Sequence, residues 1–178
     1  MIYMIGGAPR VGKSTLARIL LKRKRFPYIA SDAIFHMLKE AAPQLGVTDE
    51  VSHEERAEVF FPYLKRLVHH IQICENDYVI EGDCFLPKQA AALGQDHEVK
   101  SCFLGVSSME LETILQNRGH NSWIDALSPE KLKELPNWIV DLSALFKGES
   151  QKYGVQYFDL SGDYSGVMEQ AYEFLVKP

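Results

Sequence analysis

Cysteine is scarce in this chain: Cys74, Cys84 and Cys102 are the only three, an odd number with no Cys-x-x-Cys spacing. That excludes a disulfide framework and a zinc knuckle, and a reducing cytoplasmic setting is expected. Long apolar runs are missing too. Ile2-Tyr3-Met4-Ile5 is too short to cross a bilayer and has no basic region ahead of it, so neither a membrane segment nor a secretory leader is expected. Excess positive charge is absent: 19 Lys and Arg stand against 24 Asp and Glu, for a net charge of -5. This speaks against a broad basic face for nucleic acid or anionic lipid. The one basic run, Lys22-Arg23-Lys24-Arg25, reads as the charged C-terminal end of a helix. The six histidines lack His-x-x-x-His or mixed Cys spacing, so no histidine metal centre is expected.

What is present is ordinary globular material, with 46% hydrophobic and 24% charged residues interspersed over 178 positions. One domain, 1–178, is the expectation. Short apolar runs at Ile2–Ile5, Tyr28–Ala30, Tyr78–Ile80, Cys102–Val106 and Val155–Phe158 read as buried strands, with helical segments between them. Alternating strands and helices predict an α/β fold with a parallel, doubly wound sheet. In such a sheet, ligand chemistry gathers just after the strands, at the topological switch point.

Gly7-Ala8-Pro9-Arg10-Val11-Gly12-Lys13-Ser14 satisfies G-x-x-x-x-G-K-[ST] at every fixed position, between a predicted strand and a predicted helix. Glycines let the backbone curl so that successive N–H groups face phosphate oxygens, and the helix N-terminus adds partial positive charge. The expected nucleotide site is therefore Gly7, Ala8, Pro9, Arg10, Val11, Gly12, Lys13, Ser14 and Thr15. Lys13 is expected on the β- and γ-phosphates of ATP, and the Ser14 hydroxyl on Mg²⁺. Arg10 has two readings, a phosphate contact or a solvated side chain.

Further candidates follow the later strands. Glu81 and Asp83 flank Gly82 at the end of the third strand, where acidic residues hold a Mg²⁺-bound water or simply form a turn. Ser107-x-x-Glu110 reads as a capping box opening a helix. Leu111, Ile114, Leu115 and Arg118 then share a face, so Arg118 is expected to point inward, toward a functional anion or an ordinary salt-bridge partner. Ser52-x-x-Glu55 opens a helix carrying Phe60, Tyr63, Leu64, Leu67, Val68 and Ile71 on one stripe, with Pro62 as a kink or first-turn residue. Gly119 to Pro136 has weak periodicity and reads as a mobile flap. A helix is expected to return over Asn137–Phe146, with Gly148 at its C-terminal cap. Trp123 and Trp138 read as core or as pocket walls.

On the glycine loop, Asp32 after strand two, Glu81-Gly82-Asp83 and Arg118, the chain resembles the P-loop small-molecule kinases, the group of adenylate, shikimate and gluconate kinases and chloramphenicol phosphotransferase. The resemblance implies a three-layer P-loop NTPase fold, with a five-stranded parallel sheet in the order 2-3-1-4-5 and helices on both faces. It further implies an acceptor-binding helical insertion at about 33–72 and a short lid at about 119–136. The implied activity is transfer of the γ-phosphoryl group of MgATP to a hydroxyl of a small molecule. Lys13, Asp32 and Arg118 would be catalytic, and Ser14, Glu81 and Asp83 would hold the metal. Asp32 would orient or deprotonate the acceptor, though an aspartate there also serves as a helix cap. Many relatives carry a second lid arginine, and no arginine follows Arg118. Ser161-Gly162-Asp163 falls where the family lays the adenine ring, and also suits a helix cap. The competing function is a nucleotide-dependent regulatory ATPase or switch acting through a partner, for which Tyr78-Val79-Ile80-Glu81 is a weak Walker B strand. The guanine-reading Asn-Lys-x-Asp is missing, and the acidic balance counts against a polynucleotide kinase. A monomer and a homodimer are both compatible.

Overall fold

Strand β1 (Ile2–Gly7) is buried at every residue, and its apolar run fits a central strand covered on both faces. The computed structural model describes residues 1–118 and 123–177. After β1 come α1 (Lys13–Lys24), β2 (Tyr28–Ala30), α2 (Ser31–Ala41), α3 (His53–Cys74) and β3 (Tyr78–Glu81). The chain continues through α4 (Pro87–Asp96), β4 (Val99–Gly105), α5 (Leu111–Gln116), α6 (Pro129–Tyr153), β5 (Gln156–Asp159) and α7 (Tyr164–Val176). The five strands form one parallel sheet in the order β2-β3-β1-β4-β5, as the family resemblance implied.

That order creates the crevice. From β1 the chain runs to β2 at one edge, returns through β3, and then passes across β1 to β4, so the C-terminal ends of β1 and β3 flank the switch point. Register sets Ile5 beside Glu81 and Gly7 beside Leu104. Right-handed crossovers put α1 and α7 together on one face and α3, α4 and α6 on the other. The core between sheet and helices includes fully buried Phe35, Phe60, Phe85, Phe103 and Phe146. Each such side chain contributes about 1.5 to 3 kcal/mol by leaving water.

Several local expectations are confirmed. Lys22, Arg23 and Lys24 occupy the last turn of α1, with Arg25 as its cap. The Ser52 side chain caps α3 by accepting from the Glu55 N–H. Pro62 lies well inside α3, ten residues from Ser52, so it is not a first-turn residue.

Other expectations are corrected. Helix α6 begins at Pro129, not Asn137, and runs through Gly148 to Tyr153; the cap is Gly154, with φ of 67°. Ser128 caps the start by accepting from the Lys131 N–H, and Pro129 sits where its missing N–H is harmless. Pro136 is in the interior of the helix. Within the segment read as a flap, residues 119–122 lie outside the described residues, and Trp123–Ala126 is a 3-10 turn. Helix α5 begins after Ser107, whose N–H and hydroxyl donate to the Ser161 hydroxyl instead of capping it. No described helix is long and apolar enough to cross a membrane.

Candidate functional site

The phosphate loop leaves β1 and re-enters regular structure at Lys13, with Gly12 as the residue before α1 in a left-handed conformation, φ 106°. A side chain at Gly12 would be strained by that φ, and its Cβ would stand 2.6 Å from the Tyr164 hydroxyl. The Lys13 side chain is buried and folds back over the loop, its Nζ donating to the Ala8 carbonyl at 2.8 Å. A buried ammonium on a neutral carbonyl is poised to exchange that bond for a charged phosphate oxygen.

Ser14, in the first turn of α1, donates to Glu81 Oε1 at 2.9 Å. A hydroxyl and a carboxylate side by side form a hard-oxygen pair of the kind Mg²⁺ prefers, so Ser14 and Glu81 fit the metal role. Burial raises the Glu81 pKa, while the Ser14 hydrogen bond and the Lys13 charge oppose the rise. Asp83 is not part of this pair. Its carboxylate takes a hydrogen bond from the Arg56 guanidinium at 3.0 Å, with both side chains largely buried.

Asp32 lies in the first turn of α2, across the crevice. Its Oδ1 accepts from the Asp83 backbone N–H at 3.1 Å and from the Cys84 thiol at 3.2 Å. Gly82 makes this approach possible, because a Cβ there would lie 1.9 Å from Ser31 Oγ and 2.6 Å from Asp32 Oδ1. Oxygens of Asp32 and Asp83 and the Cys84 sulfur lie within 4.8 Å of one another. The thiol is a soft, protonated member of that group, its pKa driven up by burial and by the Asp32 charge, which makes it a poor ligand for Mg²⁺.

The two aspartates are driven apart. Burial and the Asp83 charge raise the Asp32 pKa against the opposing pull of Lys13. Burial also acts to raise Asp83, but Lys13 and Arg56 outweigh it and the net shift is downward. Asp32 is therefore the carboxylate with the higher proton affinity. His53, at the start of α3, lies against Arg56, and burial with the Arg56 charge lowers its pKa to about 4, so it is neutral at physiological pH.

On the other side of the loop a cleft of about 790 Å³ is lined by Arg10, Lys13, Ser14, Arg118, Ser161 and Tyr164, among others. It has the size and placement for a nucleotide. Asp163 caps α7 by accepting from the Gly166 N–H, while Ser161 and Gly162 line the cleft. The Asp159 carboxylate holds Ser107 and Ser161 at this end of the cleft.

The expected orientation of Arg118 is corrected. Helix α5 ends at Gln116, so Arg118 is past it, with a side chain about half exposed and paired to Asp125 at 2.9 Å. It reaches the cleft edge from outside the buried stripe. Trp123 and Trp138 are both partly exposed and meet edge to face, beside a small apolar hollow with Leu127 and Leu135. His53, and the pairing of Arg56 with Asp83, are what sequence reading missed. Their only signal was position on the stripe-bearing helix after Ser52.

No family model matches the chain, and no curated protein matches it by sequence. Solved structures do match in shape. Shikimate kinase from Bacteroides thetaiotaomicron aligns over 98% of each chain with a TM-score of 0.59 and 18% identity. A gluconokinase from Sinorhizobium meliloti 1021 aligns over 99% of this chain and 91% of its own, with TM-score 0.56 and 16% identity. An uncharacterized protein from Eubacterium ventriosum aligns over 100% and 99%, with TM-score 0.55 and 12% identity. The strand order, the phosphate loop on β1 and these matches agree: the chain has the fold of the P-loop small-molecule kinases.

Proposed function

We propose that this protein is an ATP-dependent phosphotransferase that moves the γ-phosphoryl group of MgATP to a hydroxyl of a small molecule. The observation that carries this reading is Asp32, a partly buried carboxylate of raised proton affinity held at the switch-point crevice next to the phosphate loop. A partner-binding switch has no need of such a group, whereas an alcohol acceptor does.

Lys13 leaves the Ala8 carbonyl for the phosphates, and the loop N–H groups cradle them. Ser14 and Glu81 would hold Mg²⁺, which when bound neutralises charge on the β- and γ-phosphates. Asp32 accepts the acceptor hydroxyl and takes its proton. Asp83 and Arg56 fix the Asp32 carboxylate from behind through the Asp83 N–H. Arg118 stands at the root of the lid, where closure would exclude water and limit hydrolysis.

The test is ATP consumption by the full chain against sugars, hydroxy acids, nucleosides, aminoglycosides and other alcohols. The expected result is ADP release that depends on one acceptor class and yields its phosphate ester. ATP turnover indifferent to every acceptor would instead favour a regulatory ATPase. Lys13→Ala is expected to abolish nucleotide binding, and retained affinity would refute the loop assignment.

A further inference from the structure

We propose that the acceptor is an uncharged polyhydroxylated molecule, of the sugar or polyol class, held through the open carboxylate oxygens of Asp32 and Asp83 and the open donor of Arg56; this rests on the kinase reading and deepens it. The two carboxylates stand side by side, an oxygen of each within 4.8 Å of the other. In both, Oδ1 is occupied. Asp32 Oδ1 accepts from the Asp83 N–H and the Cys84 thiol, and Asp83 Oδ1 accepts from Arg56, with the same thiol 3.6 Å away. Oδ2 of each has no hydrogen-bond partner among the described residues, and neither Oδ2 is buried. Two open carboxylate oxygens call for two hydrogen donors, which neighbouring hydroxyls supply.

Arg56 adds the complement. Its Nη2 is occupied by Asp83 and by His53 Nε2, while Nη1 has no partner among the described residues and is not buried. One donor edge beside two acceptor edges matches hydroxyls, which both donate and accept. The Arg56 charge is not free for an anion, because Asp83 lies against it at 3.0 Å with both side chains largely buried. His53 is neutral and contributes no charge. The other cations on the surrounding elements are matched or face elsewhere. Lys39 on α2 pairs with Asp49, and Lys88 on α4 with Glu58. Lys65 and Arg66 are exposed, more than two turns along α3 from Arg56. Arg10 and Arg18 line the nucleotide cleft, and Lys131 shares the hollow beside Trp138 with Glu134.

With Lys13 on the phosphates, the acceptor meets the Asp32 carboxylate and an already neutralised Arg56–Asp83 pair, beside a nucleotide that is itself negative. An acceptor carboxylate or phosphate would face like charge with no cation of its own. An ammonium group would ion-pair with Asp32 and take the carboxylate that the hydroxyl needs. Uncharged hydroxyls fit without either cost. The wall beyond is uncharged too: the His53 ring meets that of Trp138 edge to face, 6.4 Å between centroids, and the partly exposed indole offers a flat surface to the C–H face of a ring.

The experiment measures acceptor-dependent ADP release by the full chain, with the ester identified by mass spectrometry, on matched sets that share one carbon skeleton: hexose, hexuronate and hexosamine, and linear polyol, aldonate and aminopolyol. Wild type is expected to favour the uncharged member in kcat/KM by at least about thirtyfold over both the carboxylate and the amine, the scale of like-charge juxtaposition and of a lost base. Asp83→Asn removes one negative charge and releases that of Arg56, so its discrimination against the carboxylate should fall at least about tenfold. A smaller preference in wild type, or preference for a charged member, overturns the proposal and leaves the kinase reading in place. Unchanged discrimination in Asp83→Asn also overturns it, and the wild-type ratio decides by itself should that variant not fold. Turnover only of an alcohol outside these sets overturns the proposal alone, whereas no acceptor-dependent ADP release with any alcohol overturns the kinase reading as well.

Discussion

Replacing Asp83 with alanine separates a buried ion pair from an exposed one in the same protein. Arg56 and Asp83 are 3.0 Å apart, with side chains only 13% and 15% exposed. Arg56 already has a buried Nε without a partner among the described residues. Removing the carboxylate therefore strands a guanidinium that water cannot easily reach. Breaking such a pair costs about 3 to 5 kcal/mol, and the residual exposure places Asp83→Ala near the lower figure. For a domain of this size about 3 kcal/mol corresponds to a fall in Tm of roughly 6 to 12 °C. Arg118 and Asp125 are at a similar distance, 2.9 Å, but 53% and 52% exposed. Asp125→Ala is expected to cost under about 1 kcal/mol. Thermal melts followed by circular dichroism, with urea titrations as a second measure, decide between them. The double variant Arg56→Met, Asp83→Ala should lose less than the sum of the singles, because the stranded charge is gone. Equal losses at the two sites, or strict additivity in the double variant, would refute the reasoning.

Asp32→Asn is expected to lower turnover by about 10² to 10⁴ and yet stabilise the fold at pH 7. The native pKa of Asp32 is raised above its ordinary value of 3.8, so ionisation costs the folded state stability as pH rises through the native pKa. The Tm advantage of the variant should therefore vanish below about pH 4, and a constant advantage at all pH values would contradict it. Gly12→Ala combines the φ penalty with a Cβ 2.6 Å from the Tyr164 hydroxyl, and should cost about 2 kcal/mol or more in urea denaturation. Phe146→Ala removes a fully buried ring whose centroid lies 5.6 Å from that of Phe103; a loss of about 3 to 5 kcal/mol is expected, and under 1 would mean the core refills the space.

The features legible in the sequence were those encoded locally. Strand β1, the glycine loop and the start of α1 form one continuous signal, and short apolar runs marked the other strands. Arg118 was misread because its spacing continued a helical stripe that the backbone abandons at Asn117, whose side chain donates to the Thr113 carbonyl. The start of α6 was hidden by Pro129 and Pro136, which read as loop punctuation although one sits at a tolerant first position. Arg56 could not be found from pattern, since its partner Asp83 is 27 residues away and only the sheet order brings α3 to the end of β3.

Pro136 has a mechanical consequence. Helix α6 has 25 residues, a bar of roughly 37 Å. Proline at 136 cannot donate to the carbonyl of Leu132, so the bar has a soft joint just over two turns beyond Ser128. The longer arm packs on β4, where Phe146 stacks on Phe103 and Ser143 lies beside Gly105, whereas the short arm carries Leu132 and Leu135. Bending is thereby confined to one place, and strain from the short arm stops before it reaches the sheet. Amide hydrogen exchange should show that discontinuity, with protection low over 131–135 and high over 139–146.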